Sequence, residues 1–261
     1  GTLVESSVNE IANPVAYIDA SHIEPYNQMD WVFHAIDGLQ LTLMRNGYLP
    51  LFAPEITAER LERCGMLISI APARKFSRRE RTVIANFVRE GGILICTVGA
   101  EQARSSASLL DDFGLRVPYT PVPTIDSQLE PEPMGHIRSL FLNAVDYGAG
   151  DHRCGVTFDA AWPVESKESG SEVLVRGRAE RAVIISREVG RGTVVLIGDT
   201  RFAFNKNLEY IGGQRFTHGY ENAHFWRWLI SRITGQTEYV PPPSEETEVE
   251  SSTDNVSEEE S

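Results

Sequence analysis

The sequence predicts an α/β protein, a parallel sheet with helices packed on both faces. Three observations point there. Up to about residue 116, short runs rich in Val, Ile and Leu alternate with longer segments of helical periodicity. The short runs are apolar almost throughout, as strands buried on both faces must be. The segments between them carry helix caps and are long enough to cross from one parallel strand to the next.

Each element has its own justification. "VAYIDAS" (15–21) reads as the first strand. Residues 29–47 carry Val32, Ile36, Leu39 and Leu43 at helical spacing and stop at Gly47, which suits a helix C-terminus. "YLPLFAP" (48–54) is a second strand, and "TAERLERC" (57–64) a short helix with Thr57 as its N-cap. "GMLISIAP" (65–72) is the third strand. The helix "SRRERTVIANFVREGG" (77–92) opens on Ser77 with Glu80 three residues on, a capping box. Its apolar stripe is Val83, Ile84, Phe87 and Val88, and Gly91 closes it. "ILICTVG" (93–99) is the fourth strand, and a helix follows around 102–113.

The alternation breaks after about 116. "RVPYTPVPTIDSQLEPEP" is Pro-rich, and beyond it lie short strand-like runs: "VTFDAAWPV", "EVLVRG" and "RAVIISREV". "VGRG" (189–192) leads into the apolar strand "TVVLIGD". A strand rather than a helix follows this glycine pair, so it reads as a hairpin turn and not a phosphate loop. "NAHFWRWLISRITG" (222–235) is a final amphipathic helix, with Trp226 and Trp228 as packing residues. The expectation is one α/β domain over residues 1–240, with an irregular β-containing insertion at about 117–190. Residues 241–261 form an acidic tail that is expected to be disordered.

Composition narrows the function. Hydrophobic residues make up 41% and charged residues 23% of the 261-residue chain, enough for a normal core. The formal net charge of -13 argues against nucleic acid and anionic membrane, which reward basic surfaces. Eight of the acids lie between Ser244 and Ser261, where there is no Lys or Arg, leaving about -5 for the rest. Cys64, Cys96 and Cys154 form no C-x-x-C, so neither a zinc site nor a disulfide framework is expected. No run approaches the 18 apolar residues of a membrane span. The chain begins with Gly rather than Met, so a preceding leader or anchor stays open.

Several motifs in order resemble a known family. They are "DASH" after the first strand, "GYLP" entering the second, and "LISIAPARKFSRRERTVIANFVREGGILI". "VVLIGDTRFAFNKNL" and "ENAHFWRWLI" complete the set, which covers roughly 15–235. Together they resemble the non-classical branch of the class I glutamine amidotransferase-like superfamily, the DUF4350 or GIFT-type domains. Such domains occur in intraflagellar-transport subunits and in auxiliary proteins of gliding-motility ABC transporters. The resemblance implies a flavodoxin-like, amidotransferase-type sheet and a recognition role inside a larger envelope- or membrane-associated protein.

Active members of the superfamily carry a cysteine in a G-x-C-x-G-x-Q elbow and a histidine in H-P-E after a late strand. Aligned on Gly99, this chain has Thr97 at the nucleophile position, with Cys96 one residue early. A one-residue shift on a strand turns a side chain to the other face. Cys96 is therefore expected in the sheet–helix packing as a small buried hydrophobe. The late strand ends "LIGDT", without the histidine base, so the general-base step is lost as well.

What remains is the shell of a site. Ligands of open α/β sheets bind beyond the carboxyl ends of the strands. Asp19, Ser21 and His22 gather there with Tyr26, Thr97, Asp199, Thr200 and Arg201, and Asn205 and Asn222 lie close behind. Each also fits a structural role. Asp19 and Asp199 suit turn caps, His22 a backbone partner, and Asn222 the N-cap of the last helix. A metal held by Asp19, His22 and Asp199, and a Ser21/His22/Asp199 triad, are both poorly supported by two neighbours on one loop and a distant Asp.

The sequence thus points to a non-catalytic domain without cofactor or metal. Its ligand is a small molecule or glycan, or a protein partner, at the strand ends. The alternative is a hydrolase or transferase using Asp19, His22 and Asp199.

Overall fold

In the computed structural model, residues 13–23, 36–118, 135–142, 153–208 and 219–239 are described. The first half follows the expected alternation. Strand β1 (Val15–Asp19) precedes helix α1 (Asp37–Arg45), and β2 (Leu49–Ala53) precedes α2 (Ala58–Leu61). Then come β3 (Cys64–Ile70), α3 (Arg78–Arg89), β4 (Ile93–Thr97) and α4 (Ala103–Asp111). The local signals act as expected. Gly47 ends α1 at φ 84°, a conformation that a Cβ would strain. Thr57 Oγ1 accepts from Arg60 N, and Ser77 and Glu80 complete a capping box on α3. The part of the expected first helix before Ile36 lies outside the described residues.

The second half holds β5 (Leu115–Arg116), β6 (Gly135–Leu142), β7 (Arg153–Ala161), β8 (Glu165–Ser166) and β9 (Ser171–Arg176). After these come β10 (Ala182–Val189), β11 (Gly192–Ile197) and α5 (Gly219–Thr234). The central sheet has seven strands in the order β2-β1-β3-β4-β11-β10-β9. The first five are parallel, whereas β10 runs antiparallel to β11 and β9. The tight turn at Gly190 joins β10 to β11, as the glycine pair predicts. The region expected as an insertion is therefore of two kinds. β9 and β10 extend the main sheet, and among the described residues the β6–β7 hairpin and the β5–β8 pair stand apart from it.

Strict period-two alternation builds two apolar layers. Ile93, Ile95, Val195 and Ile197 face one layer, with α1, α5 and the β6–β7 hairpin. Leu94, Cys96, Val194 and Leu196 face the other, with α2, α3 and α4. Trp226 and Trp228 are buried in the first layer, with Phe202 and Phe225 packed edge-on and tilted around them.

One asparagine ties the hairpin to the helix layer. Asn222 Oδ1 accepts from Thr157 N at 2.8 Å, and its Nδ2 donates to Thr157 O at 2.8 Å. The side-chain amide thus copies a strand partner for β7. It is not the N-cap that the sequence suggests, because α5 begins three residues earlier. Asn222→Ala leaves a buried donor and a buried acceptor unpaired, an expected loss of about 3 kcal/mol in denaturant unfolding. Asn222→Asp is expected to lose a similar amount, since a carboxylate cannot donate to Thr157 O.

Candidate functional site

The strand order reverses at β1: β2 lies on one side of it, and the chain then crosses over to place β3 on the other. That junction is where ligands of open α/β sheets bind. Here the loops over it are joined to one another. Ala20 N donates to Ala53 O at 2.9 Å, Ala73 N to His22 O at 2.7 Å, and Ala71 N to Thr97 O at 2.9 Å. Val98 N donates to Ile197 O at 2.9 Å, and Trp162 N to Gly198 O at 2.6 Å. Backbone hydrogen bonds thus continue the sheet's ladder beyond its last residues, from β2 across to β7.

The first cluster sits on the β1 loop. Asp19 is buried, and its Oδ1 accepts from Ser21 N at 2.9 Å and from Ser21 Oγ at 2.6 Å. Its Oδ2 lies 2.7 Å from His22 Nδ1, so Nδ1 carries the ring proton. Ser21 Oγ also lies 2.9 Å from that same nitrogen. Ser and Asp therefore meet one ring nitrogen, whereas a triad needs them on opposite ones. The other nitrogen, Nε2, is 3.7 Å from the capping-box carboxylate of Glu80. The ring stacks on Phe76 at 3.9 Å.

Thr97 and Cys96 follow the one-residue argument. Cys96 faces the α3 side and is fully packed, and burial pushes its thiol up to about 12. Cys64 is likewise buried, its thiol raised to about 11. Thr97 points to the opposite layer with no exposed surface, and its Oγ1 has no hydrogen-bond partner. The side chain at the nucleophile position is thus closed off from solvent. Gly99, which opens the turn, is pressed against Thr200: a Cβ there would lie 2.4 Å from Thr200 Oγ1.

The late-strand residues form a second cluster around β7. Asp199 is fully buried; its Oδ2 accepts from Asp159 N at 2.7 Å and Ala160 N at 3.3 Å, and its Oδ1 from Arg201 N at 2.9 Å. Burial nevertheless outweighs these donors and pushes the carboxyl up to about 6. Arg201 Nη1 reaches Asp159 Oδ2 at 3.1 Å. Thr200 Oγ1 donates to Gln102 Oε1 at 2.6 Å. Asn205 Oδ1 accepts from Gly38 N at 2.7 Å, which holds the start of α1. Tyr26 lies outside the described residues.

The structure therefore brings Asp19, Ser21 and His22 together, and separately Asp199 with Arg201. Glu80, Phe76, Gln102, Asp159 and Trp162 complete these clusters, and sequence reasoning did not place them there. For Glu80 the capping box was a visible signal. For Trp162 and Asp159 only the fold supplies one. Among the described residues, no group of three His, Cys, Asp or Glu is arranged to hold a metal ion. No helix among them is long and apolar enough to cross a membrane.

These features are those of a flavodoxin-like α/β domain in which the side chain that ends the fourth parallel strand, Thr97, is closed off from solvent. The chain belongs to the family described as a domain of unknown function, DUF4350, whose model matches residues 51–229. No curated protein matches it. Among solved structures it is similar to the mmIFT52 N-terminal domain, with a TM-score of 0.60 at 14% identity over 87% of this chain and 100% of that one. It is also similar to the cytoplasmic protein STM1381 of Salmonella typhimurium LT2, with a TM-score of 0.53 at 15% identity over 84% of this chain and 99% of the other. At these identities the likeness is one of fold.

Two outcomes follow from the site chemistry. Cys64 and Cys96 are expected to resist iodoacetamide at pH 8 in the folded chain and to react once it is unfolded; labelling of either in the native state contradicts their burial. Asp199 carries a folded pKa of about 6 against 3.8. Its contribution to stability is thus full below about pH 4 and is lost as pH rises through about 6, up to about 3 kcal/mol. In Asp199→Asn the fall in stability between about pH 4 and 6 is expected to flatten, measured by urea unfolding at a series of pH values.

Proposed function

We propose that this chain is a non-catalytic recognition domain that docks a protein partner on the rim of its strand ends. The observation that carries the reading is the sealed elbow: Thr97 has no exposed surface, and the loops above it are hydrogen-bonded to one another. A small molecule needs a recess with polar groups left free to recognise it. At the strand ends the oxygens of Asp19 and Asp199 already hold backbone and side-chain donors.

What the rim offers outward is a different set of groups. Arg201 and Glu101 are exposed, and Trp162 and Thr200 half-buried. Tryptophan and arginine are the side chains that most often anchor protein interfaces. The setting in a larger envelope- or membrane-associated protein rests on the resemblance to transporter auxiliary proteins, and the net charge of -13 speaks for a protein over a nucleic acid. The enzyme alternative, with Asp19, His22 and Asp199, draws on the raised carboxyl of Asp199. That carboxyl is turned to β7, however, and not to His22.

Site-specific photo-crosslinking in the cells that make the chain tests the reading. A photoreactive residue at Arg201 is expected to give one discrete protein adduct, and the same residue at Glu172 on the far edge strand none. Equal adducts from both positions count against a rim site. A melting-temperature rise of several degrees with a sugar, nucleotide or amino acid, about 2.7 kcal/mol at ~100 times its dissociation constant, overturns the reading in favour of a small ligand.

A further inference from the structure

The charge of this acidic chain is sharply segregated within the fold. Residues 74–81 read "RKFSRRER", five cations and one acid. The acid, Glu80, is spent inward: its Oε2 accepts from Ser77 N at 2.7 Å and faces His22. Arg74, Lys75, Arg78, Arg79, Arg89 and Arg104 are exposed, and none is ion-paired with another described residue. A groove of about 240 Å³ runs along this surface, lined by Arg78, Arg81, Thr82, Ala85, Arg89 and Asp112.

The groove has a defined geometry. Its α3 residues stand at helical intervals, so they form one stripe down the helix. Arg81 closes the far side, with Nη1 donating to Asp112 Oδ1 at 2.8 Å, to Asp112 Oδ2 at 2.9 Å and to Ser108 O at 3.1 Å. Arg78 and Arg89 stand near the two ends, eleven residues apart by number and hence about 16 Å along the axis. Five residues of extended chain cover the same ~16 Å.

The C-terminal segment has the matching charge and spacing. Between Ser244 and Ser261 it holds eight acids and no cation. Glu245 and Glu250 are five apart, and so are Asp254 and Glu259. We propose that this glutamate-rich segment of the same chain seats on the basic groove of α3, its carboxylates on Arg78 and Arg89.

Reach permits it. The chain is held near its last described residue by Glu238, 3.2 Å from His224 Nε2 in the α5 layer. The groove lies on the opposite side of the sheet, two packing layers of about 10 Å each away. Asp254 and Glu259 stand 15 and 20 residues beyond Tyr239, about 50–65 Å when extended. Each exposed ion pair is weak, but the tether supplies a high effective concentration. The segment would then shield α3 from other anions at low salt and release it as salt rises.

Zero-length carbodiimide coupling, which joins an amine to a carboxylate, reads this contact directly in the full chain. Arg78→Lys and Arg89→Lys keep the charge and place an amine in the groove; Arg176→Lys places one on the far edge strand, and native Lys75 gives the same readout without substitution. Mass spectrometry of the monomer is expected to find links from the groove lysines and Lys75 to residues 245–260, about tenfold more abundant than from Lys at 176. The links are expected to fall several-fold at about 0.5 M salt. Equal yields at all positions, absence of groove links, or links that arise only in dimers would overturn the proposal.

Discussion

A carboxylate withdrawn from water must be given donors, and Asp199 is given three backbone N–H groups. Two of them come from β7, which belongs to a hairpin separate from the central sheet. The third comes from its own turn. This one side chain therefore joins the late parallel strand, the turn after it and the hairpin that covers α5. The cost of burying the charge remains visible in the raised carboxyl. Asn222 repeats the device on the helix side by pairing with both backbone groups of Thr157. Asn205 repeats it at the start of α1. Polar residues at the strand ends thus act as fasteners between elements that the sheet ladder does not reach.

The same constraint accounts for the shape of the candidate site. Asp19 satisfies Ser21 and His22 within four residues of chain, and the histidine is flanked by Phe76 and Glu80. Loop joins to loop across the strand ends by single backbone bonds. A catalytic elbow works by the opposite arrangement, with an exposed side chain on a tight turn and open space before it. In this chain Thr200 fills the space over Gly99, and the thiol that is present faces the other side of the sheet. A domain built this way keeps a parallel sheet whose strand-end side chains Asp19, Thr97 and Asp199 are buried.

The sequence shows most of the fold because its signals are local. The Thr57 cap, the Ser77–Glu80 box and the glycine stops after α1 and α3 all act within a few residues. The turn of Cys96 into the helix packing follows from strand periodicity once the resemblance puts Thr97 at the nucleophile position. The antiparallel addition of β9 and β10 to the main sheet is less so, since a short apolar run does not reveal its neighbour. The site residues were legible as a set but not as partners. Asp19, Ser21 and His22 stand together in sequence and in space. Asp199 turns away from them, because two of its three donors come from β7, some forty residues distant. Asn222 looks like a helix cap until Thr157 is seen opposite it.

The strand-end polar groups are either committed to the fold or held for a ligand. Equilibrium urea unfolding of the chain and of Asp19→Ala answers this. Removal of the carboxylate leaves Ser21 N and the buried imidazole of His22 without their acceptor, and the account predicts a loss of about 2–4 kcal/mol. A change within about 0.5 kcal/mol, the range of an ordinary surface substitution, would contradict it. It would mean that Asp19 is free of structural duty and available to a ligand.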